Sequence, residues 1–458
     1  MKGDFTRNTH SPAKHYSRVL MQQGRVQIDA DWNEQTSILL GYMRALTRDV
    51  FGKAAGPAAA CGFKIAKNLP GTAPKERDLP EGDFWISPGR YYVNGIPVEL
   101  EQRVRYSKQL GYPWRGAEKI EDLSKASFLA YLDVWEDFVS ADQDDHIREV
   151  ALGGVDTCGR GKVNWQVRVL IDPKNKCNSL DDKRPTGTGT LKAWAKPGDT
   201  PDSLCTITPD AQYRGAENQL YRVEIHHGSE LGGPASFKWS RDNGSVVFPV
   251  LHIADNVVSV AHLGRDECSS LVPGNMVELI DDAMLMRDGA GLLARVAHVD
   301  RDDLTVTLEL PDGIDGLPGY GGSKQDLHRL LRRWDHIGDL CNAGGAVLID
   351  DAVHELEDGV KIQFAKTSGD FRSGDFWLIP ARVATGQIEW PGAPDNPDSV
   401  LPHGPLHYYA PLALFASGVP SQDCRTCLNS LPAVVRQTPA AETVAQPPKV
   451  RAAQRPPK

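Results

Sequence analysis

Hydrophobic and polar positions alternate with two different periods along this chain, and the change of period divides it. Near the start, in MQQGRVQIDADWNEQ (Met21 to Gln35) and the residues after it, Leu39, Met43, Leu46 and Val50 recur at helical spacing. They predict one helix with a single apolar stripe, running to about Phe51. Asp31 and Glu34 have the spacing of a capping box, so Asp31 is read as the cap of that helix. An Asp29/Asp31 acid dyad on an extended arm is the less favoured alternative.

Beyond residue 80 the period becomes two. In GRYYVNGIPVELE, Asn94 and Gly95 have the signature of a two-residue hairpin turn, which pairs Val93 with Ile96 and Tyr91 with Val98. FKWSRDNGSVVFPV repeats the pattern. With Asn243 and Gly244 in the turn, Arg241 would pair with Val246, Trp239 with Phe248 and Phe237 with Val250. From Pro273 to Leu310 several short alternating runs, broken at Asp281–Asp282 and Asp300–Asp303, predict a small, strongly bent sheet or barrel. Leu327, Leu330, Leu331 and Trp334 stand at helical spacing behind Ser323 and predict a short helix.

The pattern therefore predicts a mainly β (α+β) chain of several antiparallel sheet or small-barrel domains behind an N-terminal arm and helix. The expected division is 1–55 for arm and anchoring helix, 56–215 and 216–420 for two β-rich domains, and 421–458 for a Pro-rich tail. Residues Leu431 to Lys458 are rich in Ala, Pro and Gln, and such a segment cannot bury enough apolar surface to offset its ordering entropy, so disorder is expected. GDFWISPGR (Gly82 to Arg90) and GDFWLIPAR (Gly374 to Arg382) echo one another. Successive Phe and Trp would fill opposite faces of a doubly buried strand, with Pro ending the ladder.

Composition narrows the function. A net charge of −9 over 458 residues lacks the dense basic surface that nucleic acid or an anionic membrane would need. No stretch approaches the roughly 18 apolar residues of a membrane span, and MKGDFTRNTH lacks the core of a secretory signal, so cytoplasmic synthesis is expected. Eight cysteines, mostly scattered singly, are too sparse for a disulfide scaffold, and reduced thiols are expected. Cys424 and Cys427 form one C-x-x-C without a second ligand pair, so no metal is expected there.

Candidate chemistry is thin. In ENQLYRVEIHHG a strand would put Tyr221, Val223, Ile225 and His227 on one face and Arg222, Glu224 and His226 on the other. Glu224 and His226 could supply part of a ligand or general-base site, but Arg222 offers Glu224 a partner, and a solvated, salt-bridged face is the preferred reading. There is no P-loop, no G-x-S-x-G and no H-E-x-x-H, and no cofactor is expected. Trp377 beside Arg382 would suit stacking on a sugar, although aromatic residues at strand spacing are more often core.

Several stretches carry a resemblance: MKGDFTRNTHSPAKHYSRVLMQQGRVQIDADWNEQ, FLAYLDVWEDFVSADQDDHIREVALGG, YRGAENQLYRVEIHHG, FKWSRDNGSVVFP and GDFWLIPARVATGQIEWP. Over residues 1 to about 415 the chain resembles an uncharacterised bacterial family that occurs with phage-tail-like contractile injection systems and prophage tail genes. The G-R-x-Q-x-D-A-D-W-N-E entry into a helix is similar to the attachment segments of tail and baseplate proteins, and GRYYVNGIPVE to hairpins common in them. Longer relatives carry a β-helix or another effector-like module after the shared region, where this chain has only its Pro-rich tail.

The resemblance implies a structural or accessory component that works by protein–protein assembly with other tail or baseplate-type subunits in an oligomeric particle, which could be released outside the cell. Trp32, Leu39, Met43 and Leu46 are the expected partner contacts. A carbohydrate-binding or carbohydrate-cleaving surface protein, using Trp377 and Arg382 with nearby acids, is the rival, and cargo of the injection system a third reading.

Overall fold

The structure, a computed structural model, describes the chain apart from residues 70–78, 115–116, 174–175, 181–182, 196–212, 265, 267, 289, 318–326, 337–340, 343, 366–369 and 430–458. It is mainly β, with 39% strand against 14% helix. The expected disordered segment from Leu431 onward lies outside the described residues, as does Ser323.

The first β body is built on a long antiparallel pair, Phe128–Val139 with Arg160–Ile171, in unbroken register from Phe128 opposite Ile171 to Val139 opposite Arg160. Tyr408–Ala416 pairs with the other edge of Phe128–Val139, and Val419–Asp423 adds to it in turn. Against this sheet packs the hairpin Gly89–Val93/Ile96–Leu100, in the register the turn chemistry predicts: Val93 meets Ile96, and Tyr91 meets Val98. Asn94 and Gly95 both take positive φ, 48° and 82°, as such a turn requires. Between the sheets Phe84, Tyr106, Phe128, Leu132 and Phe415 are wholly or almost wholly buried, with the Phe128 and Phe415 rings stacked at 4.1 Å.

The second body contains a five-stranded sheet in the order Val347–Leu348, Ser236–Ser240, Gln219–His227, Phe376–Arg382, Gln387–Ile388. One face, carrying Val223, Ile225, Phe237 and Trp377, packs on a three-stranded sheet of Leu191–Ala195, Val360–Phe364 and Val353–Glu355. Beside it stands a closed six-stranded antiparallel barrel: Val247–Ala254, Val257–Val260, Thr305–Glu309, Leu292–Asp300, Met276–Ile280 and Leu330–Trp334, the last pairing back to the first. Val250, Val258, Val277, Leu279, Val306, Leu308 and Leu331 fill it. The barrel expected from the alternation after Pro273 is present, and it recruits strands from both sides of that segment.

Several expectations need correction. Asn243 and Gly244 do form a positive-φ turn, but its flanks do not pair with each other. Ser236–Ser240 stays in the five-stranded sheet while Val247–Ala254 enters the barrel, so the turn is a corner between two layers rather than a hairpin tip. Leu330 to Trp334 is a barrel strand, not a helix. Its outward residues Leu330 and Trp334 are buried by neighbouring layers as fully as the inward Leu331, which erases the period-two signal. The domain boundaries also move. Leu191–Ala195 belongs with the second body, and Tyr408–Ala416, Val419–Asp423 and Cys427–Leu428 return to the first. Structured chain thus runs through residues 421–429, which the pattern assigns to the tail.

The cysteines are not all reduced. Cys61 is bonded to Cys427 and Cys177 to Cys424, so the C-x-x-C is split between two disulfides that tie the returning strands to the first body. Spacing along the chain could not show this, because connectivity depends on which Cα atoms come within bridging distance, here 5.9 and 5.6 Å. In the GDFW echo, Phe84, Trp85, Phe376 and Trp377 are all buried. Pro380 does not end its ladder, since the strand runs on to Arg382.

Candidate functional site

The helix α1 (Asp29–Phe51) begins before the expected cap. Its N-cap is Ile28, which provides no side-chain bond; the arm instead ties the first turns down by donating to their side chains. Asp29 accepts hydrogen bonds from the Thr6 amide at 3.0 Å and hydroxyl at 2.6 Å, Glu34 accepts from the Thr9 hydroxyl at 2.5 Å, and Gln35 accepts from the Val19 amide at 2.8 Å. Asp31 is therefore an ordinary first-turn residue. Asp29, engaged by Thr6 and two positions from Asp31 on a helix, forms no dyad with it.

Only Ala30 and Ile38 of α1 are buried. The helix leans on the first body through Arg44 and Glu136 at 2.7 Å, through Phe51 against the Tyr92 ring, and through the turn at Gly95. Its other side is open. Trp32 is 78% exposed, Leu39 53%, Met43 65%, Leu46 67% and Val50 59%. All four expected partner contacts lie in this row. Together they form a row of large apolar side chains left in contact with solvent.

The other expected residues are placed differently. Trp377 is fully buried, with its Nε1 donating to the Val400 carbonyl at 2.8 Å, so it has no free face for a ligand. Arg382 donates from Nε to Glu389 at 2.9 Å and from Nη2 to the Thr6 carbonyl at 2.9 Å; it straps the arm down. A groove of Trp377 and Arg382 does not form. Glu224 and His226 do share a strand face with Arg222, but that face is not solvated: Glu224 is 0% and Arg222 3% exposed, because the barrel covers them.

Between sheet and barrel lies a layer of paired charges. Glu224 meets Arg222 Nε at 2.6 Å, Lys2 at 2.9 Å and Lys238 at 3.4 Å; Lys238 meets Glu278 of the barrel at 2.6 Å. Trp334 donates from Nε1 to Glu278 at 2.8 Å, and its ring lies 4.5 Å from the Lys238 ammonium. Burial alone would raise Glu224, but Lys2, Arg222 and Lys238 outweigh it and hold it well below the usual carboxylate range. Burial is likewise outweighed at Glu278, chiefly by Lys238, and its pKa falls to about 2.

The arm is threaded into this layer. Asn243, from the corner turn, donates to the carbonyls of Met1 at 3.2 Å and Gly3 at 2.8 Å, and Arg222 donates to Asn243 Oδ1 at 3.2 Å. Both carboxylates are buried against cations that hold them in the charged form, which suits an ionic fastening rather than a general base. The layer fastens arm, sheet and barrel to one another. Reasoning from sequence missed it because period two tells which residues share a face, not whether another layer covers that face.

A cleft of about 500 Å³ opens at the edge of the layer, lined in part by His226, His227, Ser236, Gly291 and Asn342. Burial pushes His226 down to about 3, so its ring is neutral. Among the described residues no three His, Cys, Asp or Glu side chains gather as metal ligands would, and no described helix is long and apolar enough to cross a membrane.

Fold and site together define a mainly β scaffold, fronted by a laced helix whose apolar row faces away from its own body. The chain belongs to the family of unknown function DUF6519, whose model matches residues 1–186 and 180–456. No curated protein and no solved structure matches it.

Proposed function

We propose that the protein is an assembly component of a phage-tail-like particle or contractile injection system, attached to a neighbouring subunit through α1. The observation that carries this reading is the uncovered row of Trp32, Leu39, Met43 and Leu46 on a helix fixed by its opposite side. Burying each of these side chains against a partner would contribute roughly 1.5–3 kcal/mol. The arm supports it physically: Lys2, Thr6 and Thr9 tie the helix start to the second body and the Phe5 ring packs edge-on against Phe138 of the first, so a load on α1 passes into both. Two disulfides suit surroundings more oxidising than cytosol, and so fit particles that leave the cell.

The test is co-sedimentation with high-mass particles from the producing cells. Met43→Asp with Leu46→Asp should remove the protein from the particle fraction while the thermal melt of the purified chain stays unchanged. Undiminished co-sedimentation of this variant would reject attachment through α1.

A further inference from the structure

The exposed residues of α1 have a finer regularity than an amphipathic stripe. Trp32, Thr36, Leu39, Met43, Leu46 and Val50 follow one another at steps of four, three, four, three and four, and all six are exposed. That is a heptad seam, with Thr36, Met43 and Val50 at a and Trp32, Leu39 and Leu46 at d. A stripe kept to 3.5 residues per turn drifts about 20° per heptad on a straight helix, and matches a partner helix that supercoils with it better than a flat sheet. The buried Ala30 and Ile38 and the ion-paired Arg44 lie at b and c, behind the seam.

We infer that the seam is occupied by α1 of a second copy of this chain, in a parallel, in-register coiled coil. This rests on the reading of the α1 face as a docking surface and adds the identity of what docks there. The flanking positions favour a copy of itself. One flank carries Asn33, Leu40 and Thr47, the other Gln35, Tyr42 and Asp49. In parallel pairing Tyr42 would meet Thr47 of the other copy, Gln35 is held by the Val19 amide of its own arm, and no two like charges are opposed. A seam meant for a different helix would be expected to carry e and g charges that select its partner. Within the described residues the other α-helices, Ile120–Leu123 and Asp282–Asp288, are too short to cover the seam from inside the same chain.

Light scattering on the purified full chain, from high nanomolar to high micromolar concentration, should show mass rising to a multiple of the monomer. The Met43→Asp/Leu46→Asp variant should remain a monomer throughout. Register is read by oxidative cross-linking in a Cys158→Ser, Cys268→Ser background, since both thiols are exposed. Leu39→Cys and Leu46→Cys should each give covalent dimer, and Arg48→Cys, off the seam, should not.

A wild-type chain that is monomeric at every concentration, or equal cross-linking at position 48, overturns the proposal. The two readings fail separately. A monomeric wild type whose aspartate variant still drops out of particles removes self-pairing and keeps assembly; a paired wild type whose variant still enters particles does the reverse.

Discussion

At the scale of single residues, Lys238 has the most consequential surroundings. It is fully buried, has carboxylates on two layers within 3.4 Å, and lies against the Trp334 ring. Removing one member of such a cluster leaves its partners charged in a medium that cannot solvate them, so Lys238→Met should cost about 3–5 kcal/mol. Denaturant midpoints would measure it, and Lys238→Met with Glu278→Leu should recover part of the loss; a Lys238→Met chain as stable as wild type would show that the layer does not bind sheet to barrel.

Asp375 gives a pH test. Burial pushes it up to about 7 against the amides of Gly187 and Arg372. Because the folded-state value lies above the ordinary 3.8, the folded chain holds this proton more tightly, and the contribution is present at low pH and lost as pH rises through about 7. Asp375→Asn keeps an acceptor for the same amides without the charge. Its stability relative to wild type should rise by roughly 2–3 kcal/mol between pH 5 and pH 8, the part of the loss that falls in that window. Equal melting curves at both pH values would contradict this.

At the scale of elements, the hairpin turn at Asn94–Gly95 supports α1. Gly95 has φ of 82°, and a Cβ there would come within 2.4 Å of the Arg44 carbonyl oxygen in the helix. Gly95→Ala therefore strains the turn and pushes on the helix at once, at about 1–3 kcal/mol. Amide exchange of residues near Arg44 should speed up while the Phe128–Val139 pair is unaffected; unchanged protection would mean the helix is held by the arm and its contacts at Glu136 and Tyr92 without the turn. The turn was legible in the sequence because two residues with positive φ need Asn and Gly wherever the strands go. The same signature at Asn243–Gly244 was equally real as a turn and misleading as a hairpin, since φ angles at a corner do not say which strands flank it. Leu330 to Trp334 misled for another reason: short runs apolar on both sides have no period left to read.

At the scale of the whole molecule, the C-terminal strands staple the fold. Cys424 and Cys427 reach back across 247 and 366 residues to Cys177 and Cys61, and Arg425 between them donates to the carbonyls of Cys61 at 3.0 Å and Gly62 at 2.8 Å. Non-reducing peptide maps should recover both linkages. Cys61→Ser with Cys427→Ser should cost about 2–5 kcal/mol and expose the segment around Val419–Asp423 to protease; maps that show Cys424 joined to Cys427 would refute this pairing.

What the sequence determined by itself was local. Side-chain period and turn chemistry act over a few residues, and they set the helix from near Asp31 to Phe51, the register at Asn94–Gly95, the two faces of Gln219–His227 and the mainly β character. They also picked out Leu39, Met43, Leu46 and Val50 as a single row. Tertiary structure alone decided whether each face met water or another layer. The Arg222–Glu224 face was closed over by a barrel and the Lys2 arm, Trp377 was sealed into a core, and the α1 row was left open. It also chose the cysteine partners. Coverage and covalent pairing depend on segments hundreds of residues apart arriving at one place, and no local pattern encodes that arrival.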